Sequence, residues 1–163
     1  RLVSDWSSDV CSSDLLSSAI APEDVILDLS ISTKAVLIKK LAAHAAARTG
    51  LTEEAIHTAL LGRERLGSTG IGHGVAMPHA PVPGLQTSFA ALMVLKKSID
   101  FEAVDDLPVD VVFLLLSAPE GSNEYLKILA AVARRTRDEQ VMKMLRGAKS
   151  AHAAYSILVE QPV

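Results

Sequence analysis

Cysteine is nearly missing from this sequence: Cys11 stands alone in 163 residues, so no internal disulfide can staple the fold. Cysteines and histidines do not fall at the spacing of a structural zinc site either. Aromatic residues are scarce, at 4%, with a single Trp. Neither sign of charge dominates, because sixteen Lys+Arg face nineteen Asp+Glu for a formal charge of −3. That balance lacks the broad positive field that holds proteins on phosphate backbones, which argues against nucleic acid as a partner. Long apolar runs are absent too. The longest, Phe89 to Leu95, is far below the roughly 20 residues a membrane helix needs, and there is no secretory h-region with a small-residue cleavage site. What is there is 49% hydrophobic residues in a chain long enough to bury its own core. The expectation is one globular domain, cytoplasmic and without membrane insertion.

Residues Arg1 to Leu15 differ from the remainder. They hold five Ser, three Asp, the only Trp and the only Cys, and repeat SDWSSD as SDVCSSD. With so few apolar residues, residues 1–15 are expected to be a disordered or non-native leader, such as translated adapter DNA. The alternatives are a recognition segment or a redox switch at Cys11. The domain is assigned to residues 16–163.

Within it, Val25 to Leu29 reads as an edge strand. Lys34 to Arg48 has helical spacing (Ala35, Ile38, Leu41, Ala42, Ala45), with Ser32 or Thr33 as N-cap and Gly50 at the left-handed terminus. Thr52 caps a second helix to about Arg65, with Ala55, Ile56, Ala59 and Leu60 inward and Gly67 closing it. Gly67 to Gly84, broken by glycine and proline, allows one short strand around Val75–Met77. Ser88 to Leu95 and Val109 to Ser117 are strong strands, the second apolar enough to be central and covered on both faces. Three helices follow. The first runs from Ser122 or Asn123 to Thr136 (Tyr125, Ile128, Leu129 and Val132 inward), and the second from Asp138 to Arg146, closed by Gly147. The last is capped by Ser150. The fold class is α/β: a mixed β-sheet flanked by helices on both faces, in a single domain.

The chemistry is concentrated between Gly67 and Ala80. Gly70, Gly72 and Gly74 let the backbone turn sharply and present N–H groups to an anion, while Ser68 and Thr69 add hydroxyls. The run is neither a Walker A loop nor a Rossmann fingerprint, since it follows a helix and precedes a strand. Pro78 stiffens the backbone entering His79, whose neutral imidazole is nucleophilic near physiological pH. Arg63 and Arg65 are the nearest cations in sequence, suited to a phosphoryl group. By spacing alone, His79 reads more readily as a hydrogen-bonding loop residue than as a nucleophile. His73 and His79 as two metal ligands lack a third ligand, so no metal is expected. His44, His57 and His152 read as structural. The Arg134–Arg135–Arg137 cluster reads as complementing a helix dipole, with a docking patch for an acidic partner as the alternative.

The stretch Arg63-Glu-Arg-Leu-Gly-Ser-Thr-Gly-Ile-Gly-His-Gly-Val-Ala-Met-Pro-His79 closely resembles the active-site signature of the type-2 (fructose/mannitol-like) enzyme IIA family of the phosphotransferase system. Its GSTGIG run and the domain length resemble the nitrogen-regulatory branch, over roughly Leu16 to Glu160. The resemblance implies that His79 is the phosphoacceptor, through Nε2, and that Arg63 faces the phosphoryl group. It implies an HPr-like phosphocarrier as donor, no cofactor, and regulatory targets such as potassium-handling proteins. The alternatives are an enzyme IIB recipient or a binding module that transfers nothing. One position departs: Tyr125 stands where the family usually has a second histidine. A phenol, with a pKa near ~10, can hold one hydrogen bond but is a poor proton shuttle at neutral pH. Ser68, Thr69, Gly70, Gly72 and Gly74 are the expected phosphate-binding residues. Met77, Val82 and Leu85 are the expected exposed apolar rim for the partner.

Overall fold

The computed structural model describes residues 15–120 and 123–160. The strands are β1 (Val25–Leu29), β2 (Gly70–Gly72), β3 (Val75–Ala76), β4 (His79–Pro81), β5 (Phe89–Ile99) and β6 (Val109–Ser117). The helices carry the labels α1 (Lys34–Thr49), α2 (Glu53–Glu64), α3 (Asn123–Arg137), α4 (Glu139–Gly147) and α5 (Ala151–Val159), and residues 15–19 form a further helical turn. A six-stranded sheet runs β1-β5-β6-β3-β2, with β4 also pairing β6. β1–β5, β3–β6 and β4–β6 are parallel, whereas β5–β6 and β2–β3 are antiparallel. The sheet is therefore mixed, and β1 is its edge as expected.

Alternation along the two long strands builds two cores. Ala91, Met93, Val112 and Leu114 face one side, packing against Leu37, Leu41, Ile56 and Leu60 of α1 and α2. Leu92, Val111, Phe113 and Leu115 face the other, against Ile128, Val132, Leu145 and Leu158 of α3, α4 and α5, joined by Leu16 and Ile20. Each such side chain contributes about 1.5–3 kcal/mol on burial, so β6, buried nearly end to end, anchors both layers.

The caps follow the sequence. Oγ1 of Thr33 and of Thr52 and Oγ of Ser150 accept from the amides of Val36, Ala55 and Ala153, and Gly50 takes the left-handed position at φ 79°. Four details differ from expectation. β5 extends to Ile99 through exposed Lys96, Lys97 and Ser98, because Ile99 still registers with Val109 although the polar residues end the apolar pattern. The glycine segment holds three short strands rather than one, since a side-chain pattern cannot be read from glycine. Gly147 is the last helical residue and the chain leaves α4 through extended Ala148, so it closes nothing. Ala35 is exposed, and Leu37 is buried among the α1 residues. Among the described residues no helix is long and apolar enough to cross a membrane. Cys11, Ser122 and residues 1–14 lie outside the described residues.

Candidate functional site

The end of α2 folds back on itself. The Leu66 amide donates to the Arg63 carbonyl and the Gly67 amide to the Glu64 carbonyl, each at 3.1 Å. This turn brings the Gly67 carbonyl to the Arg63 guanidinium, whose Nη1 donates to it at 2.9 Å. The chain then forms the β2–β3 hairpin and returns along β6. β3 registers Val75 with Val111, and β4 registers His79 with Leu115. Between them, the Met77 amide donates to the Thr69 carbonyl at 2.9 Å and the Leu115 amide to the Pro78 carbonyl at 3.0 Å. The lost N–H of Pro78 therefore interrupts nothing, and its carbonyl still enters the sheet.

His79 is half-buried, with Nδ1 2.8 Å from the Met77 carbonyl oxygen. A carbonyl only accepts, so Nδ1 carries the proton and the Nε2 lone pair is left for chemistry. The Tyr125 ring, in the first turn of α3, has its centroid 6.5 Å from that of His79 at an angle of 49°. Burial pushes the Tyr125 phenol above its ordinary 10.0, and the nearby Arg63 guanidinium pulls the other way. The phenol is thus neutral throughout the physiological range. His79, Arg63 and Tyr125 are brought together by β4, the end of α2 and the start of α3. His79 lies against Tyr125, which in turn feels the Arg63 charge, and an imidazole, a phenol and a guanidinium linked in this way suit the acceptance of a phosphoryl group.

The other expected phosphate-binding residues lie differently. Ser68 Oγ donates to the Phe101 carbonyl at 2.9 Å and accepts from the Gly70 amide at 3.1 Å, so that amide is already engaged. The Thr69 amide and hydroxyl both go to the Glu64 carboxylate. A Cβ on Gly70 would stand 2.8 Å from the Cα of Ala103, so close backbone packing accounts for this glycine. Gly72 and Gly74 turn the hairpin with φ 101° and 81°, beside Asp105, Asp110 and Arg146. They sit by Val111, four residues along β6 from Leu115, which is roughly 13 Å at strand rise. The structure therefore does not bring Gly72 and Gly74 to His79.

The rim also needs correction. Met77, Val82 and Leu85 are 7%, 0% and 9% exposed, packed into the cores rather than presented to a partner. An apolar run beside the site was mistaken for surface because a loop punctuated by proline carries no burial pattern. Leu66 and Leu126, flanking the site in sequence on α2's turn and α3, are exposed instead, at 83% and 60%. Among the described residues no group of three or more His, Cys, Asp or Glu could hold a metal ion. His44 hydrogen-bonds buried Asp24 at 3.0 Å, and the His152 ring lies against Tyr155. Sequence reading passed over Glu64, whose neighbour Arg63 drew the attention. A glutamate one residue after the key arginine, at a helix end, was its only signal.

Comparison with known proteins agrees with this architecture. The family model for the phosphoenolpyruvate-dependent sugar phosphotransferase system, EIIA 2, matches residues 18–161. A nitrogen regulatory protein of Bradyrhizobium diazoefficiens is 44% identical over 148 residues, covering 90% of this chain and 96% of the relative. The crystal structure of nitrogen regulatory protein IIA-Ntr from Neisseria meningitidis superposes with a TM-score of 0.85 at 27% identity, over 88% of this chain and 99% of that one. The fold, at 18% identity and a TM-score of 0.73, is also that of enzyme IIAMtl in its complex with phosphorylated enzyme IIBMtl from Escherichia coli, over 87% of this chain and 98% of that one. The chain belongs to the EIIA type-2 family of the phosphotransferase system, in its nitrogen-regulatory branch.

Proposed function

We propose that this phosphotransferase-system IIA protein accepts a phosphoryl group on His79 Nε2 from an HPr-like phosphohistidine donor. Its phosphorylation state then acts as a signal to regulatory targets, potassium-handling proteins among them. The observation that carries the reading is the Nδ1–H held on the Met77 carbonyl at 2.8 Å, which fixes the ring and reserves Nε2 as the nucleophile. In the transfer, the Nε2 lone pair attacks phosphorus in line while the P–N bond to the donor imidazole breaks and its electron pair returns to the donor nitrogen. No proton leaves His79, because the Nδ1 proton stays on the carbonyl.

Arg63 supplies the charge. Its planar fork has one N–H committed to Gly67, leaving donors for the phosphoryl oxygens. The neutral Tyr125 phenol adds one hydrogen bond, and the first-turn amides of α3 favour negative charge at that end. The exposed Leu66 and Leu126 form the apolar contact with the donor. Incubation with phosphoenolpyruvate, enzyme I and HPr, followed by peptide mass spectrometry, tests this directly: phosphate on His79, abolished in His79→Ala, is expected, and an unmodified His79 refutes it.

A second reading is onward transfer to an enzyme IIB, favoured by the fold shared with enzyme IIAMtl. It expects a IIB domain to discharge phosphorylated His79, whereas the regulatory reading expects target binding to differ between the two phosphorylation states.

A further inference from the structure

Glu64 is a carboxylate with 6% side-chain exposure, one residue from Arg63, and the transfer chemistry above does not use it. Its Oε1 lies 3.2 Å from the Thr69 amide, and its Oε2 accepts from the Thr69 hydroxyl. The Lys34 ammonium meets Oε1 at 2.9 Å while lying over the Phe101 ring, 4.5 Å from its centroid. Lys34 is itself held from α1 and also reaches Glu102 at 3.3 Å. Two hydrogen bonds from one threonine, with a cation behind the acceptor, make a strong buried clamp.

What the clamp holds is the backbone that positions both reactive groups. The Thr69 carbonyl accepts from the Met77 amide at 2.9 Å, and the Met77 carbonyl accepts from His79 Nδ1 at 2.8 Å. In the other direction, the segment between Glu64 and Thr69 contains Gly67, whose carbonyl takes Arg63 Nη1. Gly67, at φ 145°, has backbone freedom that the loop alone does not restrict. We infer that Glu64 is the positioning residue of the phosphoryl-transfer site, setting the orientation and tautomer of His79 through Thr69 and Met77 and the placement of Arg63 through Gly67. This rests on His79 as acceptor. It adds the prediction that a carboxylate touching neither imidazole nor guanidinium controls both.

The test compares Glu64→Ala, Glu64→Gln and Thr69→Val with wild type in two readouts. One is the rate of phosphoryl acceptance from phosphorylated HPr, split into kcat and KM; the other is ¹⁵N NMR of the His79 ring, which reports the population of the Nδ1–H tautomer. A glutamine can still accept from the Thr69 amide and donate to its hydroxyl, so Glu64→Gln is expected to keep the tautomer and most of the rate. Glu64→Ala is expected to lose kcat on the order of 100-fold, the scale of small misplacements of reacting groups, and to populate both tautomers. Thr69→Val should fall between them, and it carries the test should Glu64→Ala not fold. A wild-type Nδ1–H population in folded Glu64→Ala, with kcat per folded molecule unchanged, overturns the inference. So does Glu64→Gln as slow as Glu64→Ala beside a silent Thr69→Val, which would assign Glu64 a role through charge alone. If wild type takes no phosphoryl group, the acceptor reading fails separately, and the tautomer measurement still decides whether Glu64 orients the ring.

Discussion

Toward the two ends of β6 stand two histidines, His73 and His79, and the arginines of the two regions are held in opposite ways. At the start of the strand, Arg146 grips Asp110 with Nε at 3.0 Å from Oδ2 and Nη2 at 3.0 Å from Oδ1, and donates to the His73 carbonyl at 2.9 Å. The positive charge is spent within the fold, and the His73 backbone is tied in beside it: its amide donates to Asp105 at 2.9 Å. Toward the other end, Arg63 is anchored on a neutral carbonyl, and the ion pairs among the described residues do not include it. The same residue type therefore serves as a staple in one place and, in the other, as a cation outside the ion pairs of the described residues, acting on the Tyr125 ring that lies against His79. What separates them is the partner's charge, since a carboxylate cancels the field that a peptide carbonyl leaves in place.

The sharpest way to break this contrast is to exchange the histidines. His79→Ala should abolish phosphoryl acceptance while leaving the fold intact. His73→Asn, whose side chain tolerates the left-handed backbone at φ 57°, should accept phosphate at the wild-type rate in the same mass-spectrometric assay. The arginines come next. Arg63→Gln should slow acceptance by about 10²–10³-fold, the cost of removing a donor aimed at developing charge, with little change in denaturant midpoint. Arg146→Gln should do the reverse, costing about 1 kcal/mol for a partly exposed ion pair without altering transfer per folded molecule.

Smaller effects sharpen the picture. Gly74→Ala forces a Cβ to 2.6 Å from Arg146 Nη2 at φ 81°, so about 1–3 kcal/mol of stability should be lost, again with transfer per folded molecule retained. Tyr125→Phe should change the lifetime of the phosphohistidine by roughly twofold to tenfold, the range of one neutral hydrogen bond. Because burial raises the phenol's pKa, that difference should be constant between neutral pH and pH 9. Asp105 gives the smallest effect. Its carboxyl is held below the ordinary 3.8 by the amide of His73 first and that of Leu107 second. A lowered folded-state pKa stabilises fully above the unfolded value, and the contribution disappears as pH falls through the lowered one. Asp105→Asn should therefore lower stability slightly at neutral pH and flatten the acid limb below about pH 4, where the variant and wild type converge.

The contrast also explains what the sequence could and could not reveal. Caps at Thr33, Thr52 and Ser150, the alternation along β6 and the helical spacing of α1 are local signals, and each was readable because one side chain or one period carries it. The motif singled out His79 and Arg63. The division of labour inside that motif was not readable. Four glycines in eight residues suggest an anion cradle, yet Gly70, Gly72 and Gly74 answer to Ala103, Asp105 and Arg146, partners 33 or more positions away. The burial of Met77, Val82 and Leu85 likewise depends on which sheet face they meet, and Glu64 becomes meaningful only once Lys34 arrives from another helix.

The central claim is that Nε2 of His79 is the atom that receives the phosphoryl group. Combined ³¹P and ¹⁵N NMR of the protein phosphorylated by phosphoenolpyruvate, enzyme I and HPr tests it most directly. A single phosphohistidine at His79, with phosphorus on Nε2 and the proton retained on Nδ1, is the predicted result. Phosphorus on Nδ1, on another residue, or nowhere on the protein would contradict it.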